Sequence, residues 1–376
     1  MEIILNIIHY VVPFFILLGV LVFVHEFGHF IVARITGVEV SAFSIGFGKV
    51  LWEKQDKKGT LWRISAVPLG GYCQFLGDGD ASSSTSEKVV LTDEQKKYAF
   101  AFQNPFKKLA IVFAGPGFNY LFAILLYTCL FACLGRITFP PIIGEVMPDS
   151  AAAVAGLQKD DRILTINGVD IVEFADISRE VALTPNNKVS VKIKRGEEEL
   201  SFDITLTEIE MEESNGTKIK KPMLGVKSVT TIETSDENIS LPKAFTFAVK
   251  EVVDVTLTTL RGVKQMIVGE RGSEDIGGII RIAEMTGDIS KSQGFLNYIV
   301  FMALLSVNLG LINLFPIPVL DGGHIVIYTL EIITRKELNE KVKEILFRIG
   351  FALLLALMIF ATWNDIVHLF NRWFNS

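Results

Sequence analysis

The run from Val11 to Ile35 carries no charged side chain before Glu26, and it is long enough to cross a bilayer, which takes about 20 apolar residues. Backbone groups inside hydrocarbon must be satisfied within the segment, so a lone run of this kind reads as a helix. Three further runs share the property: Leu109 to Leu134, about Phe295 to Phe315, and about Ile345 to Phe360 with an extension toward Phe370. Four spans are therefore predicted. Gly115-Pro116-Gly117 and Asn119 interrupt the second and read as a break, tolerable where neighbouring protein satisfies the freed groups. The first run has no basic n-region and no small-residue cleavage site after it, so it is expected to be retained as an anchor.

Between these runs lie polar stretches of ordinary globular composition. The segregation excludes a single soluble domain, although only 21% of residues are charged and 50% are hydrophobic overall. Thirty-six basic against 42 acidic side chains give a net charge of -6, which argues against nucleic acid as a partner. The three cysteines, Cys73, Cys129 and Cys133, make no disulfide framework and read as free thiols. Orientation follows from Lys and Arg near the span ends. Arg34, Lys96, Lys97, Lys107 and Lys108 flank the first connection, and Arg335, Lys336, Lys341, Lys343 and Arg348 the third. Both should be cytoplasmic, which puts the termini and the segment from Gly135 to about Gly294 on the opposite side.

That segment begins with a small α/β pattern from Ile142 to about Val226. Ile142 to Val146 and Asp161 to Ile166 read as strands, and Pro148-Asp149-Ser150 starts a helix. Phe174 to Leu183 reads as a second helix, and Lys188 to Lys194 and Leu200 to Leu206 alternate as half-buried strands do. The string from Pro148 to Ile171, with Ala155-Gly156-Leu157 and Ile166-Asn167-Gly168, resembles the PDZ domains of bacterial envelope proteases. Such domains capture peptides by strand addition; a spacer or steric gate is the alternative. From Leu241 to Ile267 apolar residues recur at helical spacing, but Lys250, Glu251, Asp254, Arg261 and Lys264 argue against a fifth span. An amphipathic helix at the membrane surface is expected, with a helix packed on the α/β domain as the alternative.

Chemistry enters at His25-Glu26-Phe27-Gly28-His29, a His-Glu-x-x-His motif inside the first span. Residues four apart share a helix face, so both imidazoles can reach one zinc ion, with Glu26 beside it as a general base. Ionisable groups inside a membrane helix are costly and mark function by default. A catalytic zinc takes three protein ligands. The candidate source of the third is Asn313-Leu314-Phe315-Pro316-Ile317-Pro318-Val319-Leu320-Asp321-Gly322-Gly323-His324, where two prolines and two glycines break the third span. Asp321 and His324 are both candidates.

The motif in the first span, Gly115 to Asn119 in the second, Asn313 to Gly323 in the third and the PDZ-like insertion together resemble the site-2 protease family of intramembrane zinc metalloproteases. Within that family the regulator-of-sigma-E (RseP) branch is the nearest in pattern. The resemblance spans essentially the whole chain. It implies that His25, His29 and Asp321 hold Zn2+, that Glu26 is the base, that Asn313 assists substrate or transition-state binding, and that His324 is not a ligand. Only one PDZ-like unit is found, where some members carry two. Val50 to Lys54 and Leu61 to Val67, about the Asp56-Lys57-Lys58-Gly59 turn, resemble the family's membrane-associated β-hairpin, and Gly46, Gly48, Gly70 and Gly71 permit close approach of a substrate backbone. Asp78 to Lys97 is expected to be a mobile cytoplasmic loop.

The expected fold is thus a polytopic α-helical membrane protein with about four transmembrane helices, an inserted PDZ-like α/β domain and a membrane-associated β-hairpin. Its expected parts are residues 1–37 (first span), 38–106 (hairpin and loop), 107–135 (second span), 136–230 (PDZ-like domain), 231–294 (interfacial segment), 295–330 (third span) and 331–376 (cytoplasmic loop and fourth span). The resemblance further implies a bacterial inner membrane location with both termini and the PDZ-like domain periplasmic. It implies as partners the lipid bilayer and transmembrane protein substrates, namely single-pass anti-sigma factors and remnant signal peptides. A transporter also uses broken helices with intramembrane His and Asp, but it leaves Glu26 unexplained and no inverted repeat is visible. A membrane-tethered PDZ scaffold leaves both intramembrane motifs without purpose.

Overall fold

The computed structural model describes residues 2–77, 91–135, 137–184, 187–212, 218–229, 234–235, 239–269 and 277–375. In chain order, α1 (Glu2–Ile35) leads into β1 (Val40–Gln55) and β2 (Leu61–Phe75), and a short α2 (Asp93–Lys96) precedes α3 (Pro105–Leu134). Then come β3 (Ile137–Thr138), β4 (Ile143–Val146), α4 (Ala151–Ala155), β5 (Arg162–Ile166), β6 (Val169–Asp170), α5 (Phe174–Ala182), β7 (Lys188–Arg195) and β8 (Glu198–Thr205). β9 (Thr207–Glu212), β10 (Lys218–Met223), β11 (Val226–Ser228), β12 (Thr234–Ser235) and α6 (Leu241–Val268) follow, and α7 (Ile279–Asp288), α8 (Gly294–Asn313), α9 (Asp321–Thr334) and α10 (Glu340–Asn375) complete the chain. It divides into two compact units, Met1–Tyr127 with Gly277–Asp365, and Thr128–Ile276 with Ile366–Ser376.

Among the described residues four helices are long and apolar enough to cross a membrane: His9–Ile35, Pro105–Leu134, Gly294–Asn313 and Glu340–Phe370. They fall on the four expected runs, the last starting earlier in the sequence than expected. The expected break in the second is absent, because α3 runs unbroken through Gly115-Pro116-Gly117. Proline removes one donor, whereas breaking the helix in hydrocarbon would orphan several groups.

In the first unit α1 is the central strut. Leu17 and Leu21 pack against Tyr298, Phe301 and Met302 of α8, and the Tyr298 hydroxyl donates to the Pro13 carbonyl at 2.7 Å. Further along, Phe30 and Ala33 share a core with Val38, Val40, Phe43 and Ile111, which seats the β-sheet on the helix.

That sheet is more than the expected hairpin. Residues 50–55 pair with 61–65 about the Asp56 turn as the sequence suggests, but Ala42 to Ile45 each have two partners. On one side they meet Leu61 to Ile64, and on the other Cys73, Tyr72 and their neighbours between Gly71 and Gln74. β2 therefore folds back on itself about residues 67–70 so that its two halves flank the start of β1. The sequence underread these strands because Val40 to Ile45 is buried nearly throughout and shows no alternation. Of residues 78–97, expected as a mobile loop, 78–90 lie outside the described residues, and α2 is capped by Thr92 and Gln95 in a capping box.

In the second unit β6, β5, β7 and β8 form one sheet in that order. β7 alternates buried and exposed side chains along its length. Ile143, Ile163, Ile166, Val191, Ile193 and Ile204 supply the core with Ile177 and Val181 of α5. Asn167 and Gly168 turn β5 into β6 with positive φ at both positions, the backbone of a tight hairpin. Arg195 grips the buried Asp161 carboxylate with two bonds of 2.7 Å. α6 is one amphipathic helix, and its Arg261 pairs with Glu180 of α5 at 2.6 Å while its Asp254 faces Arg179. Charges that argued against a fifth span thus dock α6 on the α/β domain, the alternative weighed above. Phe245, Val253, Leu257 and Ile267 remain exposed. Among the described residues no disulfide joins the cysteines.

Candidate metal centre

α1 is helical through the motif, so His25 and His29 share one face, their rings edge to face with centroids 4.9 Å apart. The third group arrives from the end of the third span. α8 stops at Asn313, Pro316 and Pro318 occupy the connection, and α9 starts at Asp321. The turn is tight enough to require glycine: a Cβ at Gly322 would sit 2.2 Å from the Phe315 carbonyl oxygen, and one at Gly323 would sit 2.4 Å from that of Ile317. Asp321 is thereby fixed in the first turn of α9, where the positive end of the helix suits a carboxylate.

His25 Nε2 lies 3.1 Å and His29 Nε2 3.5 Å from Asp321 Oδ2, and the two Nε2 atoms are 3.3 Å apart. Tetrahedral ligands at zinc distances of about 2.0–2.1 Å stand about 3.3 Å from one another, so the triangle has the right size. Asp321 Oδ2 is buried and no donor reaches it in hydrogen-bonding geometry. Three electron-pair donors facing one point, one of them an orphan, fit a zinc ion. Among the described residues this is the group of His, Cys, Asp and Glu that could hold a metal. His324, the rival, packs its ring against Phe347 at 5.0 Å and Tyr328 at 6.0 Å.

Glu26 interacts electrostatically with all three groups and accepts a hydrogen bond from the Cys73 backbone N–H. β2 therefore runs beside the carboxylate, and a Cβ at Gly71 would come within 3.2 Å of Glu26 Cγ. The other three sheet glycines lie elsewhere. Gly46 and Gly48 have positive φ, and Gly70 faces the Phe47 ring. Asn313 closes α8 half-buried.

Sequence reasoning assigned no role to the face of α3 that walls the site. A Cβ at Gly115 would lie 2.2 Å from His29 Nε2. One at Gly28 of α1 would lie 2.4 Å from the Ala114 carbonyl oxygen. The two helices meet glycine to backbone, which is what lets α3 reach the imidazoles. His29 Nδ1 is 2.8 Å from the Ile111 carbonyl, and His25 Nδ1 is 3.1 Å from Asn119 Nδ2. The available signal was the four-residue spacing of Gly115 and Asn119, which puts them on one helix face, together with a lone amide in an apolar run.

A family model described as peptidase family M50 matches residues 13–357. Curated relatives include a protein of Agrobacterium fabrum named as a candidate zinc metalloprotease, 38% identical over 363 residues and covering 95% of each chain. One of the same description from Rickettsia conorii is 38% identical, covering 96% of this chain and 99% of its own. Another, from Campylobacter jejuni, is 38% identical over 93% of this chain and 91% of its own. Among solved structures, the PDZ domain of an SdrC-like protein from Listeria monocytogenes overlaps 25% of this chain and 93% of its own, at 20% identity and a TM-score of 0.20, too slight a likeness to argue from.

Proposed function

Because the chain belongs to peptidase family M50 and is a zinc metalloprotease, we propose that it is of the site-2 type and cuts transmembrane segments of other membrane proteins inside the bilayer. One observation supports this most: the three prospective ligands converge from α1 and from the start of α9, which directly follows α8, and α1 and α8 are both apolar enough to span a membrane.

His25, His29 and Asp321 are assigned to the metal and Glu26 to proton transfer. Zinc, when bound, supplies Lewis acidity that polarises the scissile carbonyl and makes a water easier to deprotonate. The Glu26 carboxylate takes the proton of the attacking water and returns it to the leaving amine. The Cys73 N–H holds that carboxylate in place. Asn313 is assigned to the substrate backbone or the developing oxyanion.

A peptide bond within a helix is wrapped by side chains and its carbonyl is bonded four residues on, so the substrate must unwind locally. Its freed groups cost several kcal/mol each in hydrocarbon, by the usual order of magnitude, unless protein supplies partners. The sheet, with Gly71 beside Glu26, is the proposed partner, and Gly46, Gly48 and Gly70 shape it. Exposed Phe47, Leu51, Trp52 and Leu69 favour contact of this sheet with lipid. We assign the α/β domain to a PDZ-like role, in recruiting trimmed substrates or in excluding bulky ones, on the extracytoplasmic side of a bacterial inner membrane. Single-pass anti-sigma factors and remnant signal peptides are the proposed substrate classes.

The test reconstitutes the protein with a single-pass substrate in vesicles and maps the cut bond by mass spectrometry. A cut within the apolar segment, lost in Glu26→Gln, is expected. Cleavage confined to the water-exposed part of the substrate would overturn the proposal.

A further inference from the structure

Asn119 of α3 is fully buried, and the chemistry assigned above does not use it. Its carbonyl oxygen on the main chain accepts the Ser306 hydroxyl of α8 at 2.8 Å, which anchors this turn of the helix. Its side-chain Nδ2 lies 3.1 Å from His25 Nδ1, while its Oδ1 is buried with no hydrogen-bond partner.

A neutral imidazole that gives its Nε2 lone pair to a metal carries its proton on Nδ1, and that N–H needs an acceptor. His29 has one, the Ile111 carbonyl at 2.8 Å. The group facing His25 Nδ1 is an amide, whose nitrogen and oxygen are nearly the same in shape and exchange places by a half-turn. With Nδ2 toward the ring, the amide suits the tautomer that leaves Nδ1 bare and carries its proton on Nε2, the atom a metal needs free. With Oδ1 toward the ring it suits the opposite tautomer, the one a metal requires. The half-turn brings an unpartnered acceptor to a donor that needs one.

We propose that Asn119 is the positioning residue of the metal centre: its Oδ1 accepts the Nδ1–H of His25 and so holds that ring in its metal-binding tautomer. The amide orientation and the loading of the centre are then coupled, and Ser306 steadies the helix turn from which the amide works. The inference rests on His25 being a ligand.

The test measures zinc affinity of the purified full chain by chelator competition for Asn119→Ala, Asn119→Asp and His25→Ala. Groups that accept the free N–H of a ligating histidine are worth about 10- to 100-fold in metal affinity. Asn119→Ala is expected to weaken binding by that factor. Asn119→Asp, which when ionised can only accept, is expected to bind within about threefold of the wild type or tighter, since a carboxylate fills this role in other zinc sites. Equal weakening in the Ala and Asp variants would mean that the amide acts as a donor, and unchanged affinity in Ala that it does not act at all; either overturns the proposal. Wild-type affinity in His25→Ala would instead remove the ligand assignment beneath it. Should the Asn119 variants fold poorly, seen as a lowered Tm of the zinc-stripped protein, 15N NMR of the zinc-loaded wild type with labelled histidine decides. The sequence has five histidines. A His25 Nδ1–H whose proton is shifted downfield and protected from solvent exchange by a hydrogen bond, with Asn119 its neighbour, supports the proposal, and an Nδ1–H without such a bond, or an unprotonated Nδ1, refutes it.

Discussion

Replacing Gly115 by Ala should loosen the metal centre without replacing any ligand. The added Cβ would stand 2.2 Å from His29 Nε2, 2.5 Å from its Cε1 and 2.9 Å from His25 Cε1. Nitrogen and carbon in ordinary contact are about 3.5 Å apart, so the His29 ring or the α3 backbone must give by more than an ångström. A functional constellation tolerates about 0.5 Å. The ring is also held from behind by the Ile111 carbonyl at 2.8 Å, so it cannot retreat freely. Overpacking of this kind costs about 1–3 kcal/mol. Charged to the loaded state alone, that is a loss of about 5- to 150-fold in zinc affinity. The assay is chelator competition on the purified chain, with Gly19→Ala as control. Gly19 lies in the same helix as the histidines with nothing within 4 Å of its would-be Cβ, so that variant should bind zinc normally and gain up to about 1 kcal/mol in helix propensity. Zinc binding by Gly115→Ala within twofold of the wild type would refute the close packing of α3 on the imidazoles.

Substrate helices carrying Gly, Asn or Pro near the cut should be cleaved faster than ones carrying a run of Leu, read as initial rates across one helix-stability series; rates indifferent to helicity would remove the need for unwinding. In the α/β domain, Arg195→Ala leaves the buried Asp161 carboxylate held, among the described residues, by the Gln158 N–H and should cost about 1–3 kcal/mol, read as a lowered Tm of that transition. Asp56 is pushed up by partial burial, but the Lys58 N–H, the Trp62 indole, the Thr60 N–H and Arg34 together outweigh this and hold its carboxyl below the usual range. A lowered folded-state pKa gives stability that is present above about pH 4 and lost as the pH falls through the folded value. The Tm gap between wild type and Asp56→Asn, both zinc-stripped, should therefore be widest near pH 7 and close below pH 4.

What the sequence revealed follows from where the physics is local. An apolar run long enough to span a bilayer has almost no alternative to a helix, so four spans were legible. The spacing of His25 and His29 fixes a shared face with no knowledge of the rest. Whether Asp321 or His324 completes the trio was not local: it depends on how Gly322 and Gly323 let the α9 turn close against the carbonyls of residues 314–317. The double pairing of Ala42 to Ile45 was hidden because a strand buried on both faces, as this one is, loses its alternation, and Gly115-Pro116-Gly117 misled because breakers in water are packing residues in a membrane helix. Asn119 was visible as an oddity, but its meaning required the position of His25 across the helix interface.

The central claim is that zinc is held by His25, His29 and Asp321 while Glu26 moves protons. It is tested most directly by measuring zinc per chain and cleavage of one transmembrane substrate on the same preparations of Glu26→Gln, Asp321→Asn and His324→Ala. Glu26→Gln should keep about one zinc and lose cleavage, since it removes a base and leaves every ligand in place. Asp321→Asn should lose both, and His324→Ala should retain its zinc. Zinc lost from His324→Ala but retained by Asp321→Asn, or full cleavage by Glu26→Gln, would contradict it.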